Sequence, residues 1–471
     1  MAELPSDNDE SGDLGELLAR AAARAADYRR TVSARPVFPN VDLEAVRARL
    51  GSLPEQPSSP AATIEKLADA IEPALVGSTG PRYFGFVIGG AVDAATAADV
   101  LTTGWDQNAY SAVTSPGAAL AEEVAGAWLK DLLGLPVKAS LGFVTGGQGA
   151  NTVALAAARH KVLADAGWDV EVAGLAGAPR LRVVANGERH ATIDAALRVL
   201  GLGTAVLEPV ATNDQGAIDV ADLARVLASA PVGPTIVCLQ AGNVNSGAFD
   251  DFTAAVGVAH DHGAWVHVDG AFGLWAAASP ARRHLVSGVE AADSWALDGH
   301  KWLNVPYDCG YACCAHPGAH AAAMSYTAPY LTGPSRPLRN PGDFVLESSR
   351  RARGFATWAA LHQMGRAGVA ELVERCCALA LRMAERLGAA DGVTVLNDVV
   401  LNQVLVSFGD DVRTDAVIEA VQQSGECWMG GTTWRGMRAM RISVSSWRTT
   451  EADIDRSAEA VLAARALVAD T

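Results

Sequence analysis

From Gly85 onward, apolar runs of strand length alternate with alanine-rich helical stretches, and that alternation leaves few ways for the chain to fold. The clearest strands run from Leu181 to Val184, Thr235 to Leu239, Trp265 to Val268 and Tyr311 to Cys314. Strands separated by helices predict an α/β domain built on a mostly parallel sheet. After Asp343 the pattern changes. A helical stretch runs through Arg366, a second from Val369 to about Leu387, and strands follow near Val393 to Val395 and Gln403 to Phe408. A last strand around Met440 to Val444 precedes a helix beginning near Glu451, so the chain closes with a smaller α+β domain.

Upstream, Leu14, Leu17, Leu18, Ala21 and Ala25 recur at helical spacing and predict an N-terminal helical arm. Pro36, Pro39, Pro54, Pro57 and Pro60 then punctuate an extended connector around a short helix starting near Asp42. The expected division is residues 1–80 for arm and connector, 81–345 for a large domain and 346–471 for a small one.

A formal net charge of -16 argues against a non-specific hold on nucleic acid or an anionic membrane surface. The apolar run from Val153 to Ala158 is broken by Arg159, His160 and Lys161 well short of a bilayer's thickness. Glu3, Asp7, Asp9 and Glu10 stand where a secretory signal would be basic, so the expected location is the cytoplasm. Seven cysteines in apolar surroundings read as reduced and buried; the spacing of Cys309, Cys313 and Cys314 resembles no zinc site, and no metal is expected.

Chemistry concentrates in four places. Asp298-Gly299-His300-Lys301-Trp302 offers a lysine amine, which captures carbonyls only where its site keeps it partly deprotonated. Asp269 ends the strand that starts at Trp265, where open α/β sheets bind ligands. A buried carboxylate there caps a neighbouring helix or meets a cation. Gly146, Gly147 and Gln148 lead straight into the helical run that begins at Thr152. Small residues at a helix N-terminus present free N–H groups to a phosphate, although the turn lacks both the lysine of a P-loop and the spacing of a dinucleotide fingerprint. His190 lies just beyond the strand ending at Val184.

In this order, glycine turn, histidine, strand-end aspartate and His-Lys, the chain resembles the group II pyridoxal 5′-phosphate (PLP) amino-acid decarboxylases, the aromatic-amino-acid and glutamate decarboxylases among them. The resemblance extends from about Pro81 to the C-terminus. It includes Pro81-Arg82-Tyr83-Phe84-Gly85-Phe86, Thr114-Ser115-Pro116, His267-Val268-Asp269-Gly270-Ala271-Phe272 and Arg350-Arg351 ahead of Trp358. It implies fold type I, the aspartate-aminotransferase-like PLP fold, and a homodimer with active sites at the subunit interface. It implies that Lys301 forms the Schiff base with the cofactor, Asp269 pairs with the pyridine nitrogen, and His190 and Ala271 cover the two ring faces.

Asn243 falls where the family lines the cofactor's O3′ edge, and Gly146, Gly147, Gln148, Asp298 and His300 fall around the phosphate. Asp298 stands where aromatic-amino-acid decarboxylases usually carry asparagine; beside a phosphate dianion it must turn away or be held by a cation. Phe86, Trp105 and Arg441 are the substrate-side candidates, Arg441 as a carboxylate clamp or an interdomain ion pair. Cys427 to Trp434 is either part of a substrate pocket or packing.

The implied reaction is decarboxylation of an L-amino acid, aromatic or related, to the amine and carbon dioxide. Family members commonly carry a proton-donating tyrosine on a loop after the lysine. None falls at that place between Met324 and Phe344, and Tyr330 matches an earlier position. That departure makes a decarboxylation-dependent oxidase or another Cα-bond lyase the alternative, with His190 as an alternative proton donor.

Overall fold

The computed structural model describes residues 13–231, 233–326 and 339–469; Tyr330 lies outside them. Its centre is a seven-stranded sheet in the order β1-β7-β6-β5-β4-β2-β3. The strands are β1 Ser140–Val144, β2 Arg182–Asn186, β3 Leu207–Val210, β4 Thr235–Gln240, β5 Trp265–Asp269, β6 Ser294–Asp298 and β7 Gly310–Cys314. Pairing is parallel from β3 through β6, and β7 runs antiparallel to both β6 and β1. Every residue of β1, β2, β4, β5, β6 and β7 is buried, as parallel strands covered on both faces require. The edge strand β3 carries Pro209, which an interior strand does not tolerate.

A second sheet, all antiparallel, has the order β10-β11-β9-β8, with β8 Thr394–Val395, β9 Gln403–Ser407, β10 Gly430–Trp434 and β11 Met437–Ser443. The helix Asp411–Ser424 packs against it, and Glu451–Ala469 packs on that helix. The N-terminal helix Leu14–Thr31 lies against Pro60–Ile71, with Arg24 reaching Asp69 and Glu72.

One expectation changes. No helix starts directly after Asp343; a short 3-10 turn at Pro341–Phe344 gives way to extended chain, and the helix begins at Gly354. The two helices expected up to Arg366 and from Val369 are present as the two halves of Gly354–Gly388, which meet at a kink at Gly365, whose φ of 60° lies in the left-handed region open to glycine. Among the described residues no helix is long and apolar enough to cross a membrane.

Candidate active site

The carboxyl ends of β1, β2, β4, β5 and β6 converge on one edge of the large sheet, and the chemically distinctive residues lie just past them. Asp269 and Asp298 are the last residues of β5 and β6. His190 follows β2 and caps the helix Ala191–Val199, and Gly146 follows β1 and caps Gly147–Asp165. Because β7 runs the other way, its first residue, Gly310, reaches the same edge; a side chain there would strike the Gly146 backbone at 2.6 Å.

His190, Asp269, Ala271 and Lys301 line one cleft together with Val87, Gln240, Gly242, Val244 and Phe272. Asp269 is 6% exposed; its Oδ1 accepts the Ala271 N–H at 3.2 Å and its Oδ2 accepts from the Asn151 amide at 3.1 Å. His190 Nδ1 lies 2.8 Å from the Thr192 hydroxyl and accepts the Thr192 backbone N–H at 3.3 Å. With Nδ1 accepting, the neutral ring carries its proton on Nε2, and burial lowers the His190 pKa.

Lys301 Nζ sits 2.8 Å from Asp298 Oδ2. The other oxygen of Asp298 accepts a short hydrogen bond from the Gly147 N–H, the first of its helix. The His300 Nδ1 accepts the Cys309 N–H at 3.1 Å, which leaves its proton on Nε2, 3.4 Å from Asp298 Oδ1. Burial lowers the His300 pKa as well. The helix N-terminus therefore already holds an anion, Asp298, in an arrangement a phosphate would suit. Space explains the glycines: a Cβ on Gly146 would meet His300 at 2.8 Å, and one on Gly147 would meet Asp298 at 2.7 Å. Gln148 is exposed beside them.

The remaining candidates lie apart from this group. Asn243 is 1% exposed, but its side chain holds a turn: Oδ1 accepts from Asn245 and Ser246, and Nδ2 donates to the Glu188 carbonyl. Its neighbours Gly242 and Val244 line the cleft. Arg441 donates to the Val244 carbonyl at 3.0 Å and has no carboxylate within ion-pair distance among the described residues; burial lowers its pKa. Phe86 is 60% exposed and stacks 5.8 Å from Trp428, which itself stacks on Tyr83 at 5.1 Å. Trp105 is half-exposed and meets the Phe355 ring edge-on at 5.1 Å. Trp434 is buried against Leu405 and Ala439 of the second sheet, so the aromatic stretch around β10 packs.

Sequence reasoning passed over Asn151, Thr192 and Gln240. Asn151 and Thr192 lie inside the segments that carry the glycine turn and His190, and each is a polar residue on the first turns of a helix leaving the sheet edge.

The chain matches a family model described as the pyridoxal-dependent decarboxylase conserved domain over residues 46–409. It is 28% identical to tryptophan decarboxylase 1 of Oryza sativa subsp. japonica, across 92% of this chain and 90% of that protein. It is 26% identical to 4-hydroxyphenylacetaldehyde synthase of Rhodiola rosea, across 97% of each. A crystal structure of Oryza sativa TDC with PLP and tryptamine superposes with a TM-score of 0.90 at 24% identity, covering 98% of this chain and 99% of that one. At that identity the match speaks for the fold, and the fold is type I as the residues led us to expect.

Proposed function

The chain belongs to the pyridoxal-dependent decarboxylase family and is a PLP-dependent amino-acid decarboxylase; from that premise we propose that the cleft beside Lys301 binds an aromatic L-amino acid and releases its carboxyl group as carbon dioxide. The observation that carries this reading is the meeting of an amine, a strand-end carboxylate and an imidazole around one cleft.

Bound PLP supplies an aldehyde that condenses with amines and a ring that withdraws the electron pair left when a bond at Cα breaks. The residues present suit it. Lys301 would hold the aldehyde, Asp269 would face the ring nitrogen, and His190 and Ala271 would flank the ring. Gly146, Gly147, Gln148 and His300 would take the phosphate at the helix N-terminus, where Asp298 now stands as the anion. Asn243 would act from beneath, shaping the wall that Gly242 and Val244 present. Arg441, half-buried and with no carboxylate partner among the described residues, would grip one belonging to the substrate. His190, with its proton on Nε2, would hand a proton to carbon. Val87, Val244 and Phe272 would exclude water and favour an apolar side chain, in keeping with the tryptophan decarboxylase among the relatives.

The same proposal makes the enzyme a homodimer with active sites at the subunit interface and Phe86 and Trp105 on the substrate side of them, divided at residues 80 and 345, and cytoplasmic. The seven free cysteines, all buried, suit a reducing compartment. Although aldehyde synthases stand among the relatives, decarboxylation to the amine is the reading the family favours over oxidation.

A panel of amino acids offered to the purified PLP-loaded protein tests this. The expected products are carbon dioxide and the matching amine, in equal amounts and without oxygen uptake. Turnover that keeps the carboxyl group would overturn it.

A further inference from the structure

Asn151, on the helix Gly147–Asp165, is 1% exposed and directs its whole amide at other side chains. Its Nδ2 donates to Asp269 Oδ2 at 3.1 Å and to Thr192 Oγ1 at 3.0 Å. Its Oδ1 lies 2.9 Å from His267 Nε2. The carboxylate fixes which way the amide points, since an ionised oxygen accepts and never donates. Oδ1 must then accept, so His267 carries its proton on Nε2. His267 is fully buried and its pKa is pushed down to about 4, which keeps it neutral and leaves Nδ1 to accept from the Ser294 hydroxyl at 3.0 Å. Ser294 in turn accepts the Trp265 indole N–H at 2.9 Å.

On the other branch, Thr192 accepts from Asn151 and its hydroxyl donates to His190 Nδ1. Every link thus runs in one donor-to-acceptor sense from Trp265 to His190, with a branch at Asn151 to Asp269. A chain of one polarity in a dry interior has a single low-energy arrangement, because reversing any link leaves two donors or two acceptors face to face.

We propose that Asn151 is a positioning residue for the cofactor site: one amide fixes the orientation of Asp269 and, through Thr192, the tautomer of His190. The inference rests on the reading of Asp269 and His190 as the groups that face the cofactor ring. Asn151 itself is not among the residues that line the cleft.

The test uses the full chain reconstituted with PLP, and reads the dissociation constant for PLP and the pH midpoint of the bound cofactor's visible band. Asn151→Ala removes one of two donors to Asp269 and is expected to weaken PLP binding roughly tenfold and to move the midpoint by about half a pH unit. Asn151→Asp is nearly isosteric but sets a second carboxylate against the first, and is expected to be worse than alanine on both measures. A packing role gives the opposite order. Thr192→Val cuts only the branch to His190, so the band midpoint stays and the pH profile of kcat shifts.

Wild-type PLP affinity and midpoint in both Asn151 variants would overturn the assignment, and an unchanged kcat profile in Thr192→Val would overturn its His190 branch even if the Asn151 variants fail to fold. Asp269→Asn separates the two levels: if it too leaves the band unchanged, the reading of Asp269 fails, whereas a changed band with silent Asn151 variants removes only the positioning role.

Discussion

Asp298 is the residue whose chemistry most constrains cofactor loading. A buried carboxylate needs a cation or several donors, and here it takes Lys301, the Gly147 N–H and the His300 edge together. Those are the groups an incoming phosphate and aldehyde would use, so the side chain competes for them. Asp298→Asn removes the charge and keeps the shape. PLP is expected to bind about tenfold more tightly to that variant, an effect of about 1.4 kcal/mol, measured by equilibrium titration of the apoprotein. Equal or weaker binding would mean that Asp298 helps to hold the cofactor. Two buried histidines give a separate acid response. His267 is held down to about 4 and His320, hydrogen-bonded between Ser140 and the Phe344 carbonyl, to about 3, both by burial. A histidine in the unfolded chain titrates near 6.5. Above that pH neither state binds the proton; below it only the unfolded chain does, so stability falls as pH falls, by about 1.4 kcal/mol per pH unit for each group. Urea midpoints between pH 6.5 and 4.5 should show the decline, and His320→Gln, which can donate to the same carbonyl, should reduce the slope by about one proton.

At the scale of elements, the sheet edge is braced by ion pairs remote from the chemistry. Glu122, on the helix Pro116–Leu133, forms two 2.7 Å hydrogen bonds with Arg350, whose Nη1 also reaches the Phe143 carbonyl on β1. Their side chains are only 6% and 1% exposed. Removing one partner from such a pair strands a buried charge, so Glu122→Ala is expected to lose about 3–5 kcal/mol, and Glu122→Leu combined with Arg350→Met to recover most of it. Denaturant midpoints of the two variants check this. The elements themselves were unequally legible in the sequence. β2, β4, β5 and β7 stand out because apolar runs mark strands buried on both faces. β1 has Gly142 at its centre and β6 offers only Trp295, Ala296 and Leu297 between polar ends, so neither shows in the pattern, yet β6 delivers Asp298. Asp269 and Lys301 were readable because strand ends and a lone His-Lys restrict what those side chains can do. Asn151, Thr192 and His267 were not. They meet only after three segments fold together, and a short-range pattern carries no record of that.

At the scale of the whole molecule, the described surface leaves large apolar side chains in water. Phe86 is 60% exposed with a positive φ of 53°, a conformation costly for an aromatic residue, and Val100, Leu101 and Trp105 on the helix Asp93–Trp105 are 55%, 50% and 49% exposed. Apolar surface of this kind marks an interface more often than it marks bare surface. A second copy of the chain is the partner the proposed homodimer requires, and the proposal of sites shared at that interface sets Phe86 of each subunit against the other's cleft. Sedimentation is then expected to give twice the 48.7 kDa chain mass, and Leu101→Glu to shift it toward the single chain. Shared sites make a sharper demand. Lys301→Ala and Phe86→Ala subunits are each expected to be severely impaired alone. Unfolded together and refolded, they should form hybrids in which one of the two sites has an intact lysine and an intact phenylalanine, restoring about one quarter of wild-type activity if pairing is random. A mixture no more active than its parents, in a protein that sediments as a dimer, would place each site wholly within one subunit.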